Sequence, residues 1–304
     1  MKDYFGYKNK VCVVTGASSG IGLATVEMLV DLGAKVYALD RNEAKLKGIK
    51  KFIKTDLNNK DSIDEAFENI PDNIDSFFGV AGLSGAITNY YTTFTVNFIA
   101  NKYITEEYLE KRMKKGGSIA YVTSTGGTNW EKFSKEYQKF IKCTSWDEMI
   151  DELHKQANPD TLGMMAYPLS KRAMNYYTNL KAIELGKKGI RVNAILPGST
   201  DTGMKKEFEV EAGGEEALIS HTGVAKRLAT KEEMAEPLVF INSDMARFIS
   251  GETLIVDYAS TSLITLGYEK DQMNRKVGSK FYNSKMVQNM LAKQLAPLQK
   301  DKDK

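Results

Sequence analysis

Two cysteines and two histidines are all that 304 residues contain, and that scarcity removes several chemistries at the outset. Cys12 stands inside an apolar run and Cys143 lies far from it, so no disulfide framework is expected. A reducing cytoplasm suits that usage, and both thiols read as small buried apolar groups. His154 and His221 are isolated from Cys and carboxylate clusters, so no metal site is expected and both read as surface residues. The chain has no phosphate-loop lysine, which disfavours the common phosphoryl-transfer readings. No segment approaches the ~20 apolar residues a membrane span needs, and residues 1–10 are charged without an apolar signal core. A soluble cytoplasmic protein is expected. The net charge of +3 hides an asymmetry: residues 261–304 carry nine Lys/Arg against four Asp/Glu, which leaves the rest at −2. Nucleic-acid binding is therefore not expected, and Asp301–Lys304 reads as a solvated end.

A 42% hydrophobic content over this length is enough for one large core. Short apolar runs at 11–14, 35–39, 76–80, 118–123, 191–196 and 253–256 alternate with helical patterns. That alternation predicts an α/β fold, a doubly wound parallel sheet of Rossmann type in a single domain over 1–260. Between the first run and the helix expected at 21–30 lies Thr15-Gly16-Ala17-Ser18-Ser19-Gly20-Ile21-Gly22. Here Gly16 permits a tight bend, Gly20 lets a diphosphate approach the main chain, and Gly22 lets the helix pack closely on the strand. The helix N-terminus then faces the phosphates, with Ser18, Ser19 and Ile21 as further contacts. Asp40 ends the second strand, where a carboxylate accepts from both ribose hydroxyls and repels a 2′-phosphate, so NAD is expected rather than NADP. Arg41 beside it pulls the other way.

Tyr167-Pro168-Leu169-Ser170-Lys171 places a phenol and an ammonium four residues apart, on one face of a helix. A free phenol, with a pKa near ~10, is a poor base at neutral pH. A neighbouring ammonium and a positive nicotinamide ring both favour phenolate, so Tyr167 can exchange a proton with an alcohol or carbonyl. Pro168 fits a first helical turn, where its missing N–H costs nothing.

The spacing Gly-x-x-x-Gly-x-Gly together with Tyr-x-x-x-Lys resembles the classical short-chain dehydrogenase/reductase family over residues 9–258. The resemblance implies that Ser124 hydrogen-bonds the substrate oxygen, Tyr167 is the general acid/base, and Lys171 lowers its pKa and binds nicotinamide-ribose hydroxyls. Asn97 would hold a water linking Lys171 to solvent. Asp56 and Leu57 match the adenine contact, Ala81 and Gly82 the ribose approach, and Ser19 stands where NADP-preferring relatives often carry a basic residue. Val80 replaces the asparagine of the family's Asn-Ala-Gly, so a structural hydrogen-bonding group must come from elsewhere. After Pro197-Gly198, Thr202 or Thr200 would bond the nicotinamide carboxamide, with Thr202 preferred by position.

Ser124 and Tyr167 are separated by 43 residues, where most relatives use about a dozen, so 128–162 is read as an inserted helix-loop-helix. Thr128 to Glu131 and Ser145 to Glu148 each read as a capping box. The aromatic stripe through Trp130, Phe133, Tyr137 and Phe140 reads as packing. With this insert the chain resembles the bacterial 3α-hydroxysteroid dehydrogenase/carbonyl reductase branch. That likeness implies a steroid or bile-acid substrate and a homodimer more readily than a tetramer. The loop 203–224, with Met204 and Phe208, is expected to cover the substrate, and Met164 and Met165 to wall it. Beyond residue 260 the chain adds a C-terminal extension. There Met286, Met290, Leu291, Leu295 and Leu298 fit an amphipathic helix packed on its own core or on a partner, with a lid over either subunit's active site as the alternative. The expected activity is NAD-dependent interconversion of a secondary alcohol and a ketone, best a 3α-hydroxysteroid. The alternatives are a dehydrogenase for another bulky hydroxyl compound and a non-catalytic NAD(H)-binding regulator.

Overall fold

The computed structural model describes residues 3–158, 160–270 and 284–300. Seven strands form one sheet: β1 (Val11–Thr15), β2 (Lys35–Asp40), β3 (Lys51–Lys54), β4 (Ile74–Gly79), β5 (Met113–Val122), β6 (Arg191–Pro197) and β7 (Thr253–Val256). Their order is β3-β2-β1-β4-β5-β6-β7 and every neighbouring pair is parallel. The chain winds outward from β1 to β3, crosses back to β4 and winds the other way. The reversal opens a crevice at the carboxyl ends of β1 and β4, the place where open α/β sheets bind ligands. β3 was not expected from the sequence: only Phe52 and Ile53 are apolar between two lysines, and its strand character comes from pairing with β2 at the sheet edge.

Alternation along β1 sorts side chains between two layers. Val13 points into a core shared with Phe67, Phe94, Phe98 and Tyr177, while Cys12 and Val14 join Val26, Leu29, Leu238 and Val239 on the other face. The second face is covered by α1 (Gly20–Asp31), together with a late helix described below. The first is covered by α2 (Lys60–Glu68) and by the helical run at 90–112, here α3. Wide i→i+5 turns interrupt α3 at Thr95–Ile99 and Thr105–Leu109.

The insert forms α4 (Ser134–Lys142) and α5 (Trp146–Gln156). Tyr137, Phe140, Trp146, Met149 and Leu153 are buried in the main core, so its aromatic stripe is packing. Ser145 accepts from the Glu148 N–H at 3.2 Å while the Glu148 carboxylate accepts from the Thr144 N–H at 2.7 Å, one residue off the expected box, and the earlier capping box does not form. The Thr128 hydroxyl instead donates to the Thr125 carbonyl at 2.9 Å, Asn129 is left-handed (φ 59°), and the helix begins only at Ser134.

α6 (Gly163–Gly186) starts earlier than expected, which puts Pro168 inside the helix and leaves the Met164 carbonyl without its intrahelical donor. Contact sets this start: a Cβ on Gly163 would lie 2.3 Å from the Thr88 carbonyl oxygen. Two short helices follow β6, α7 (Lys205–Ala212) and α8 (Glu215–Ser220). α9 (Lys231–Asn242) then packs beside α1, and α10 (Ser260–Thr265) follows β7. α11 (Lys285–Lys300) buries Leu295 and Leu298 against Ala86 and Met164 of the same chain. Residues 301–304, read as a solvated end, lie outside the described residues. Among the described residues no helix is long and apolar enough to cross a membrane.

Candidate active site

The glycine-rich turn is shaped by contacts no side chain would permit. A Cβ on Gly22 would sit 2.0 Å from the Gly16 carbonyl oxygen, and one on Gly16 (φ +68°) would sit 2.7 Å from Ala81 Cα. The turn is thereby pressed against both α1 and the end of β4. Ser19, extended at φ −154°, makes no side-chain bond to the first turn of α1, and no acidic residue stands there. The helix N-terminus is left open toward the crevice, with its N–H groups and partial positive charge available to an anion. Asp40 is fixed at its rim: one carboxylate oxygen accepts from the Ser18 N–H at 3.0 Å, the other from the Asn42 N–H at 2.9 Å. The backbone at Val80 is held by Thr15, whose hydroxyl oxygen accepts from the Val80 and Ala81 N–H groups at 3.1 and 3.3 Å.

Ser124, at the end of β5, and Tyr167 and Lys171, on consecutive turns of α6, come together beneath this turn. Burial pushes the Tyr167 phenol up to about 12; its hydrogen bond with Ser124 opposes that rise and the charge of Glu211 adds to it. Burial alone drives the Lys171 ammonium down to about 8. Lys171 Nζ donates to the Val122 carbonyl at 3.1 Å and stands 5.5 Å from the centre of the Tyr167 ring. Asn97, in the first wide turn of α3, accepts from the Leu83 N–H at 2.8 Å and donates to the Leu83 carbonyl at 2.9 Å and to Ser170 at 3.2 Å. Its side chain thus anchors the segment after β4. Lys171 Nζ and Asn97 Oδ1 converge on Gly82, at 3.3 and 3.4 Å from where its Cβ would lie.

These groups open into one cavity of about 730 Å³. Asp40, Arg41, Asp56 and Leu57 line one end; Gly16, Ser18, Ser19, Gly20, Ile21, Ala81, Gly82, Pro197 and Gly198 line the middle; Ser124, Tyr167 and Lys171 lie beyond. Asn97 stands behind the wall, outside the lining. Thr200 and Thr202 both face the cavity, but the Thr200 hydroxyl donates to the Gly198 carbonyl at 3.0 Å, whereas Thr202 stands against Gly20. Met204 and Phe208 line the far half, and the Phe208 ring meets that of Tyr167 edge-on at 5.9 Å. Met164 is part of this wall; Met165 is not, being buried in the core on another face of α6.

Several lining residues were not anticipated. His221 faces the cavity rather than the surface, while His154 is exposed and packs against the Tyr91 ring at 4.7 Å. Ser84, Glu207 and Glu211 bring polar groups into the far half, and Val287, Met290, Leu291 and Gln294 of α11 complete it. The amphipathic pattern of α11 was readable, and of the positions open to it the helix takes one that both packs on its own chain and walls the cavity.

Known proteins match the chain at two levels. Residues 10–138 match the family model described as short chain dehydrogenase, and residues 155–259 the one described as Enoyl-(Acyl carrier protein) reductase. A coniferyl-alcohol dehydrogenase of Pseudomonas sp. strain HR199 is 31% identical over 250 residues, covering 82% of this chain and 95% of that protein. A 3alpha-hydroxysteroid dehydrogenase of Mediterraneibacter gnavus is 28% identical over 272 residues, covering 84% and 98%. Among solved structures, a 3-alpha-hydroxysteroid dehydrogenase from Pseudomonas sp. B-0831, complexed with NADH, superposes with a TM-score of 0.69 at 21% identity. That match covers 86% of this chain and all of the other, and supports the fold.

Proposed function

This chain belongs to the short-chain dehydrogenase/reductase family of oxidoreductases, and from that premise we propose that it uses NAD(H) to interconvert a hydroxyl and a carbonyl on a bulky apolar skeleton. A 3α-hydroxysteroid is the first expectation for that skeleton. The observation that carries the reading is that Ser124, Tyr167 and Lys171 gather in one cavity with Asp40 and the open N-terminus of α1.

The cradle fits a dinucleotide by its own chemistry. The N–H groups at the start of α1 suit a diphosphate, and the Asp40 carboxylate suits a pair of ribose hydroxyls. A 2′-phosphate near Asp40 would meet a carboxylate that two backbone N–H groups prevent from turning away. Like charges ~4 Å apart near a protein surface repel by about 4 kcal/mol. Arg41, exposed and bound by no such pair of contacts, offsets only part of that. Thr202 is the preferred partner for the carboxamide. When bound, the cofactor supplies the hydride acceptor or donor.

The remaining work falls to side chains of this chain. Ser124 holds the substrate oxygen and, through its hydrogen bond, eases the Tyr167 phenol downward. Lys171, held under the phenol by Val122, favours the phenolate while it remains protonated. Tyr167 then accepts the hydroxyl proton in oxidation and returns it in reduction. Asn97 fixes the Leu83 segment that borders the reacting centre.

A second reading, an aromatic alcohol of the coniferyl type, is favoured by the relative at 31% identity. The test is NADH absorbance while hydroxysteroids and bulky aromatic alcohols are offered with NAD and, in parallel, NADP. Tyr167→Phe is expected to lower turnover by about 10²–10⁴-fold, the usual worth of a general acid/base, with NADH affinity kept within a few-fold. Unchanged turnover in that variant would remove Tyr167 from the chemistry. Silence across the panel with intact NADH binding would favour a non-catalytic NAD(H)-binding regulator.

A further inference from the structure

Beyond Tyr167 the cavity is walled by Met164, Phe208, Met290 and Leu291, yet two carboxylates enter this apolar half. Glu207 and Glu211 are one turn apart on the inner face of α7. Phe208, between them in sequence, touches the Tyr167 ring. Glu207 accepts a hydrogen bond from the buried Ser84 hydroxyl. Neither carboxylate forms an ion pair with a described residue, whereas Glu209, which does not line the cavity, pairs with Lys205 at 3.3 Å. Among the described residues the inward pair is thus left without an ion-pair partner.

Glu211 lines the cleft while keeping an exposed surface, and what desolvation it has there raises its carboxyl. The other titratable groups in this half are Tyr167, Lys171, His221 and Glu207, and the Lys171 ammonium is committed to the Val122 carbonyl beneath Tyr167. Among the described residues of this half, His221, itself engaged in a contact, is then the one remaining basic group, set against two carboxylates. A carboxylate on a substrate would lose its hydration against two acidic groups and apolar walls. A hydroxyl or ammonium would find two acceptors.

On the reading of this cleft as an alcohol-oxidising site, we propose that Glu207 and Glu211 select substrate by charge. The preferred alcohol carries a hydrogen-bond donor, a second hydroxyl or an amine, remote from its reacting carbon, and alcohols bearing an anion there are excluded. Among steroid alcohols this favours neutral polyhydroxylated or amine-bearing skeletons over free bile acids.

The test reads binding, so it is decided whether or not any alcohol is turned over. NADH-loaded protein is titrated with decylamine and with decyl sulfate, followed by cofactor fluorescence. Decylamine is expected to bind at least tenfold tighter at pH 8. In the Glu207→Gln/Glu211→Gln double variant the two ligands are expected to bind within threefold of each other. Equal or tighter binding of decyl sulfate to the wild-type protein, failure of the amine to bind, or a preference that survives the double variant overturns the proposal. Should the double variant not fold, Glu207→Gln alone decides, and is expected to lower the amine-over-sulfate ratio at least threefold; an unchanged ratio there overturns the proposal. A separate absence of turnover across neutral alcohols would count against the oxidoreductase reading and leave the charge selection standing.

Discussion

Gly22→Ala and Gly186→Ala are the same chemical change at two helical positions, and the structure assigns them opposite outcomes. At Gly186, in the last turn of α6, a Cβ meets nothing within 4 Å, so alanine is expected to be neutral or stabilising by up to about 1 kcal/mol. At Gly22 the new carbon would lie 2.0 Å from the Gly16 oxygen and 2.7 Å from the Gly16 carbonyl carbon, both backbone. A relaxed carbon–oxygen contact is about 3.3 Å, so α1 and the turn must part by roughly 1.3 Å. Gly16 has no room to retreat, because Ala81 closes on its other side. Overpacking of this kind costs about 3 kcal/mol, which at about 2–3 °C per kcal/mol for a chain of this size lowers the Tm by roughly 6–9 °C. The same displacement moves the N–H groups that would cradle a diphosphate. Losing about two charge-assisted bonds at roughly 1.5 kcal/mol each weakens NADH by about 100-fold. Fluorescence titration with NADH and thermal melts of both variants check this. If Gly22→Ala binds NADH within threefold and melts within about 2 °C of the wild type, the account of the turn is wrong.

Lys171→Met is expected to abolish turnover while raising the Tm of the cofactor-free protein. The folded pKa of Lys171 falls from 10.5 to about 8, so its charge burdens the fold below pH 8 and the burden lifts as pH rises toward 10.5. The gain is at most about 3 kcal/mol at pH 7, less the lost bond to Val122, and shrinks above pH 8. Melts from pH 6 to 10 that show no gain, or a gain growing with pH, contradict the burial account. Leu295→Ala removes a side chain with no exposed surface from the cluster that seats α11 on Ala86 and Met164. Its cost of about 3 kcal/mol is expected to raise KM for a bulky alcohol at least tenfold with NADH affinity within twofold. Unchanged KM would mean that α11 does not wall the substrate.

The parts readable from sequence were those fixed by local spacing. Gly16 to Gly22 and Tyr167 with Lys171 carry their geometry within one turn of chain, and the strand runs ending at Asp40, Val122 and Pro197 place their flanking loops on one edge of the sheet. What escaped was decided by contact. Lys51–Lys54 is a strand because β2 offers it an edge, and Pro168 lies inside α6 because Thr88 and Gly163 meet. His221 reads as a surface residue until the fold turns it inward.

The acidic wall shows the same dependence at the scale of the whole site. In isolation α7 is a polar segment, Lys205-Lys206-Glu207-Phe208-Glu209-Val210-Glu211-Ala212, with no evident inner face. Glu207, Val210 and Glu211 fall at positions i, i+3 and i+4, one stripe of a helix. Val210 packs against the cluster formed by Leu295 and Leu298 of α11, so the extension fixes the rotation of α7. The burial that seats the C-terminal helix is therefore what turns the two carboxylates toward Tyr167. Size selection by α11 and charge selection by α7 are one physical unit. In Leu295→Ala the amine-over-sulfate preference is accordingly expected to fall together with affinity for bulky alcohols. A preference that stays intact while KM rises would separate the two and show that α7 is oriented by Phe208 against Tyr167 instead.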